Sequence, residues 1–161
     1  MIDTSDLANF VKKTQRVRRN LKPYMARTLD EMGEQFLDMV QAEIRANGNI
    51  ISQKLMASFA KGGAGNVYRL NAGGLTLEVG SSIKYAKWVN EGHGQRPGRF
   101  IPGFWSGKRF IYVPGYGSGM VLKANFVKGS FYFDEAVDQL EELLPDIGRK
   151  AFEHFWELYF G

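Results

Sequence analysis

The chain has only two histidines, His93 and His154. His93 stands between glycines in Glu91-Gly92-His93-Gly94. A carboxylate and an imidazole this close are what a general base or one end of a metal site requires. No second ligand pair and no orienting acid follows at a usable spacing, so a loop histidine is the simpler assignment. His154 falls among aromatic residues on a predicted helix, where packing is the default. Gly107-Lys108 lacks the trailing Ser or Thr of a phosphate-binding loop, and Gly115-Tyr116-Gly117 follows no strand-to-helix fingerprint. No G-x-S-x-G nucleophile elbow occurs. Cysteine is absent, which removes disulfides and thiolate metal sites. The sequence thus predicts a protein that is not an enzyme, and shows no recognisable cofactor or metal site.

A contact surface is better supported. Tyr85 and Trp88 begin an apolar-edged stretch that runs into Glu91 and His93. Arg96, Arg99, Lys108 and Arg109 then interleave with Phe100, Phe104, Trp105 and Tyr112. Arginine with aromatic residues suits a protein interface, and also the phosphates and bases of a nucleic acid. No nucleic-acid-binding fold signature accompanies them. The net charge is +4, but its distribution says more. Lys12 to Arg27 is basic, and from Lys84 to Lys128 Glu91 is the single acid. Asp134, Glu135, Asp138, Glu141 and Glu142 reverse the sign. Such asymmetry suits head-to-tail packing of identical subunits, or nucleic-acid binding; a solvated face accounts for any one cluster equally well.

These residues must be positioned by regular elements at both ends of the chain. Ser5 is expected to cap a first helix to about Arg18. Pro23 fits the first turn of a second helix, running to about Asn47 and stopped by Gly48. Met25, Leu29, Met32, Phe36 and Val40, with Leu37 and Ile44 beside them, form one helical face. Ile50 to Lys61 predicts a short helix with Ser52 as its cap. Val67–Leu70 and Leu75–Val79 alternate around Asn71-Ala72-Gly73-Gly74, a hairpin pattern. Ile83 to Val89 suits a third strand or a single turn of helix. Phe110–Val113 and Met120–Leu122 read as strands inside a glycine-rich region. Ser130 is expected to cap a last helical region with a face of Phe133, Val137, Leu140 and Leu144, broken or kinked at Pro145. The aromatic end from Phe152 to Phe160 either closes the core or is buried against a neighbouring subunit.

The expected fold is α+β. A long N-terminal helix and C-terminal helices pack on a small, mainly antiparallel sheet, with a long glycine-rich loop excursion. Residues 1–161 are expected to form one domain, with 1–20 a helical extension and 92–119 a protruding loop region. No apolar run approaches the ~20 residues of a membrane helix, and the first residues do not resemble a signal sequence. A soluble protein made in the cytoplasm, without membrane contact, is expected.

Several motifs share an order with a known family. Tyr85-Ala86-x-x-Val89-x-Glu91-Gly92 is followed by an Arg/Pro loop. Then come Gly119-Met120-Val121-Leu122-Lys123, Phe126-Val127-x-Gly129, and an aromatic-led helix from Phe131 to about Leu144. Leu55-x-x-Ser58 lies ahead of the hairpin. In this order they resemble the tail-completion, or head–tail joining, proteins of long-tailed bacteriophages. The chain departs from that pattern at Asn90-Glu91 and in the glycine-rich insertion from Gly103 to Gly119.

The resemblance implies a structural virion protein, a minor tail component at the head–tail junction, assembled in the bacterial host's cytoplasm. It implies a ring of identical subunits, often six-fold. The implied partners are capsid-connector or portal-side proteins and the tail tube or tail terminator, with packaged DNA passing through the channel. The interface residues expected on this basis are Tyr85, Trp88, Glu91, His93, Arg96, Arg99, Phe100, Phe104, Trp105, Lys108, Arg109, Asp134, Asp138 and Glu141. The alternative is a small basic nucleic-acid-binding protein. A ribonuclease toxin that uses His93 ranks third.

Overall fold

The computed structural model describes residues 4–48 and 53–161. The chain forms two compact units, one of Met1–Ala86 with Tyr132–Gly161 and one of Lys87–Phe131. The fold is α+β, with every strand pair antiparallel.

The first unit is built on helices α1 (Ser5–Ala46) and α4 (Tyr132–Phe160). At 42 residues, α1 is roughly 63 Å long. Two N-terminal helices were the expectation, but α1 runs unbroken through Pro23. Proline removes one N–H and crowds the carbonyl four residues back. That carbonyl belongs to Arg19, on an exposed stretch where water can take it. Just past the proline, Tyr24 is anchored to α4. Its hydroxyl donates to the Ala151 carbonyl at 2.9 Å, and its ring lies 4.9 Å from that of Phe155. Pro145 likewise does not break α4; the carbonyl it displaces, at Glu141, is also exposed.

Two expected caps are corrected. Ser5 is the first helical residue and Thr4 the N-cap, without a side-chain cap bond. The Ser130 hydroxyl donates to the Val89 carbonyl instead of to the start of α4. The C-terminal stop holds, with Asn47 as C-cap and Gly48 at φ 66°.

Antiparallel packing of α1 and α4 makes the core. Phe36, Leu37, Val40 and Ile44 are buried on α1, and Tyr132, Ala136 and Phe155 on α4. Met25, predicted on the same face, is instead substantially exposed. The Phe36 and Phe133 rings meet edge-on at 5.2 Å. Helix α2 (Gln53–Ser58) contributes Leu55, and Phe59 follows it against Tyr132 at 5.7 Å. Burial pushes the Tyr132 hydroxyl up to about 12. It therefore stays a neutral donor to the Ala86 carbonyl, 3.1 Å away. Buried Ser58 donates to the Leu55 carbonyl and lies 2.9 Å from the Ser81 hydroxyl. The expected cap Ser52 lies outside the described residues.

Strands β1 (Asn66–Asn71) and β2 (Thr76–Ser81) form the predicted hairpin, with Asn71 opposite Thr76. The Asn71 side-chain oxygen accepts from the Gly74 N–H at 3.0 Å, fixing the turn. Among the described residues no third strand joins this pair. Residues after Tyr85 turn into helix α3 (Ala86–Glu91). The hairpin lies on α1 at Gly33, where a Cβ would strike the Leu77 methyl and the Tyr68 hydroxyl. That hydroxyl is 2.8 Å from both the carbonyl and a carboxylate oxygen of Asp30. Lys61 completes the tie, 2.8 Å from Asp30 and 2.7 Å from Glu34, with its ammonium over the Tyr68 ring.

The second unit carries β3 (Gly92–Gly94), β4 (Phe100–Ser106), β5 (Arg109–Tyr112), β6 (Gly119–Val121) and β7 (Phe126–Lys128). The expected strands at Phe110 and Met120 are β5 and β6. Strands β3, β4 and β7 were not anticipated. The excursion is thus folded on itself, as a β3–β7 pair and a β5–β4–β6 sheet.

Two outcomes are expected. Gly33→Ala, which elsewhere in a helix would stabilise by about 1 kcal/mol, should here destabilise by about 1–2 kcal/mol in urea unfolding, because Tyr68 must leave Asp30. A pH series should show the second. The Lys61 and Tyr68 hydrogen bonds lower the Asp30 pKa, so its contribution is full above the ordinary value of 3.8 and lost on further acidification. Desolvation, with the Asp30 bond, raises Tyr68 from 10.0 to about 12; its contribution is full below 10.0 and fades towards 12. The stability difference between wild type and Tyr68→Phe should therefore be flat at neutral pH and shrink above pH 10.0.

Candidate functional site: exposed aromatic and charged faces

The predicted interface residues divide between the two units. Tyr85, Asp134, Asp138 and Glu141 belong to the first, and the other ten to the second. Asp138 and Glu141 are exposed on α4, as is Asp134. Tyr85 is half-buried before α3.

Within the second unit, α3 is followed by Gly92 at φ 84°, a conformation that stops the helix and starts β3. A Cβ there would strike the Val127 carbonyl of β7 and the Gly129 N–H. The Ser130 and Phe131 N–H groups donate back to the Val89 and Asn90 carbonyls. The motif from Val89 to Gly92 and the motif ending at Gly129 therefore clamp each other through backbone. Asn90 is buried inside that clamp, which is why these spacings read as a signature: they fix backbone geometry.

Apart from Glu91, the residues of this unit expected to make contact lie outside the clamp. Trp88 is 56% exposed, and its ring lies 6.1 Å from that of His93. The segment after β3 is tied down by backbone. The Gln95 N–H donates to Asn125, that of Gly98 to Leu122, and that of Leu122 to Arg99. The result is a cleft of about 560 Å³ lined by His93, Gly94, Gln95, Arg96, Arg99 and Leu122. Two guanidiniums and an imidazole at one mouth suit an anionic group.

The β5–β4–β6 sheet presents the aromatic residues. Cross-strand partners share a face, so Phe100 and Val121 join Phe104 and Ile111 on one side. All four are exposed. Trp105 and Phe110 share the other side, their rings edge-on at 5.3 Å, with Trp105 57% exposed. Phe104 also meets Tyr116 at 5.6 Å. Lys108 and Arg109 sit exposed at the β4–β5 turn. Sequence reasoning missed Val121 and Ile111, whose β-branched types in short strands were the available signal. It also missed Phe126 and Phe131, both exposed, the latter at φ 53°.

Among the described residues no group of three or more His, Cys, Asp or Glu is placed to hold a metal. No helix there is long and apolar enough to cross a membrane. A chain with two charged surfaces, an uncovered aromatic sheet and a backbone-built clamp has the features of an assembly component.

The comparisons identify the class more closely. Residues 7–92 match the family described as "Bacteriophage HK97-gp10, putative tail-component". The "Phage-like element PBSX protein XkdI" of Bacillus subtilis (strain 168) is 40% identical over 120 residues, covering 73% of this chain and 74% of that protein. The "Uncharacterized protein YqbI" of the same strain is 37% identical over 139 residues, covering 81% and 83%. No solved structure gives a significant match. The chain belongs to the HK97 gp10-like family of phage tail components, and its role is structural. A tail component acts by contact with other phage structural proteins.

Replacing a surface aromatic should leave the fold intact. Trp105→Ala removes one edge-on ring pair and should cost no more than about 1.5 kcal/mol. Phe59→Ala, at a ring 2% exposed, should cost about 3–5 kcal/mol. Parallel denaturant unfolding of the two variants checks the contrast.

Proposed function

We propose that this chain completes the phage tail and joins it to the capsid connector, as one subunit of a ring, often six-fold, in the neck. The observation that carries the proposal is the β5–β4–β6 sheet, with exposed apolar residues on both faces beside an arginine-lined cleft. An uncovered sheet of this kind marks a surface awaiting a partner. Membership of a tail-component family supplies the setting. The name of one relative places that protein in a phage-like element, which agrees with a role retained in particle assembly. The sheet and cleft engage the connector side or the tail tube or terminator side. The separated charges orient neighbouring subunits, and the virion neck is the site of action.

A second proposal has a specific observation behind it. Arg96, Arg99 and His93 line one cleft, with Trp88 beside His93. This combination also suits the phosphate backbone of packaged DNA, or of a nucleic acid bound by the free chain.

The test is complementation. Lysates with filled heads and finished tails but without this protein receive purified chain, and infectious particles are counted. Wild type should restore infectivity. Arg96→Glu/Arg99→Glu should fold with near-wild-type stability, since both side chains are exposed, yet lower the titre at least tenfold. Normal joining by the doubly reversed chain would sink the assignment of the cleft. If wild type restores nothing but binds duplex DNA with strong salt dependence, the nucleic-acid function replaces the joining one.

A further inference from the structure

Helix α1 extends past the end of the partner that covers it. Its contacts with α4 run from Glu43, which accepts from Gln139 at 2.7 Å, through Phe36 beside Phe133 to Tyr24 beside Ala151 and Phe155. The two helices are antiparallel and α4 ends at Phe160, so the first turns of α1 have no α4 beside them. Leu7, Phe10 and Val11 are 64%, 57% and 44% exposed. Leu7, Phe10, Thr14, Val17, Leu21 and Tyr24 alternate in steps of three and four, the spacing of a helix–helix seam. The seam that packs on α4 thus continues to the start of the helix, where Leu7 and Phe10 leave it uncovered. Lys12, Lys13, Arg16, Arg18 and Arg19 flank it, with Asp6 the single acid.

The same unit carries the opposite surface. From Tyr132 to Leu144, α4 holds five carboxylates and no Lys or Arg. Leu143 and Leu144 are exposed beside them. Among the described residues, neither Glu135, Asp138, Glu141 and Glu142 nor Lys12, Lys13, Arg16 and Arg19 take part in an ion pair within the chain. Leu7 to Val17 and Glu135 to Leu144 each span roughly 15 Å of helix. Like charge opposes arm-to-arm pairing, and equally α4-to-α4 pairing.

We propose that the α1 arm of one copy docks on the acidic first half of α4 of a second copy, Leu7, Phe10 and Val11 against Leu143 and Leu144, with its lysines and arginines facing Glu135, Asp138, Glu141 and Glu142. The contact joins two different surfaces, so it repeats from copy to copy and closes a ring if the rotation allows. It gives the ring proposed above its subunit contact, and rests on that proposal for the number of copies.

Because the chain has no cysteine, introduced thiols report single contacts. Full-length Val11→Cys and full-length Leu144→Cys chains are mixed and treated with a short bismaleimide. The mixed product should exceed either self-linked product several-fold. Adding Lys12→Glu/Lys13→Glu/Arg16→Glu to the first chain should reduce it several-fold. Adding Asp138→Lys/Glu141→Lys/Glu142→Lys to the second should restore it. Dominant Val11→Cys self-linking, a yield no higher than random collision, or an unchanged yield after charge reversal would each overturn the contact. An arm that retards duplex DNA or binds anionic vesicles without forming the mixed product would also overturn it. Complementation separates the two proposals. Normal infectivity without the mixed product leaves the joining role standing and removes this contact. The mixed product without infectivity supports the contact and removes the joining role.

Discussion

The antiparallel packing of α1 on α4 is the constraint on which the first unit depends. It joins the two ends of the chain, with Tyr24 against Phe155 and Phe36 against Phe133. The buried area it provides lets each helix carry an interior proline, which an isolated helix would tolerate poorly. It also sets the floor for the hairpin. Gly33 lets β2 approach α1 closely enough for Leu77 to pack, and for Tyr68 to reach the Asp30 backbone. An uncharged contact thereby places a charged one. Lys61, Asp30 and Glu34 form a partly exposed cluster, whose contribution is geometric more than Coulombic.

The second unit is organised on different terms. It has few buried apolar side chains of its own and relies on backbone hydrogen bonds between short strands. A three-stranded sheet whose Phe100, Phe104, Trp105, Ile111 and Val121 are exposed leaves apolar area facing water. In a protein whose family consists of tail components, we propose that this area is covered by whatever the protein assembles with. The clamp at Gly92 and Gly129 brings β3 and β7 into close backbone contact.

Charge follows the same division. Ion pairs such as Arg27–Glu31, Arg69–Glu78 and those of Arg149 join exposed side chains, and such pairs add little stability. Among the described residues, Lys12, Lys13, Arg16 and Arg19 of the α1 arm and Glu135, Asp138, Glu141 and Glu142 of α4 stay out of those pairs. Unspent charge of opposite sign on one molecule favours orientation between copies over stability within one.

The sequence by itself determined the helical faces of α1 and α4, the β1–β2 hairpin, the stop at Gly48 and the α+β class. Each is written in local periodicity or turn chemistry, which one segment carries alone. It also carried the family resemblance, because the motif glycines and small residues answer to backbone geometry. Tertiary structure decided what depends on distant partners. Whether Pro23 breaks a helix was settled by α4, more than a hundred residues away in the chain, anchoring Tyr24. Whether Ser130 caps α4 was settled by the Val89 carbonyl. Strand β4 was hidden because Pro102 and Gly103 argue against a central strand. In the fold, β4 pairs with β6 through Phe100–Pro102 and with β5 through Gly103–Ser106. Each half is therefore an edge, where a missing N–H costs little. The placement of Phe104, Trp105, Ile111 and Val121 on the two sides of that sheet follows from this register alone, and local sequence does not encode register between separate strands.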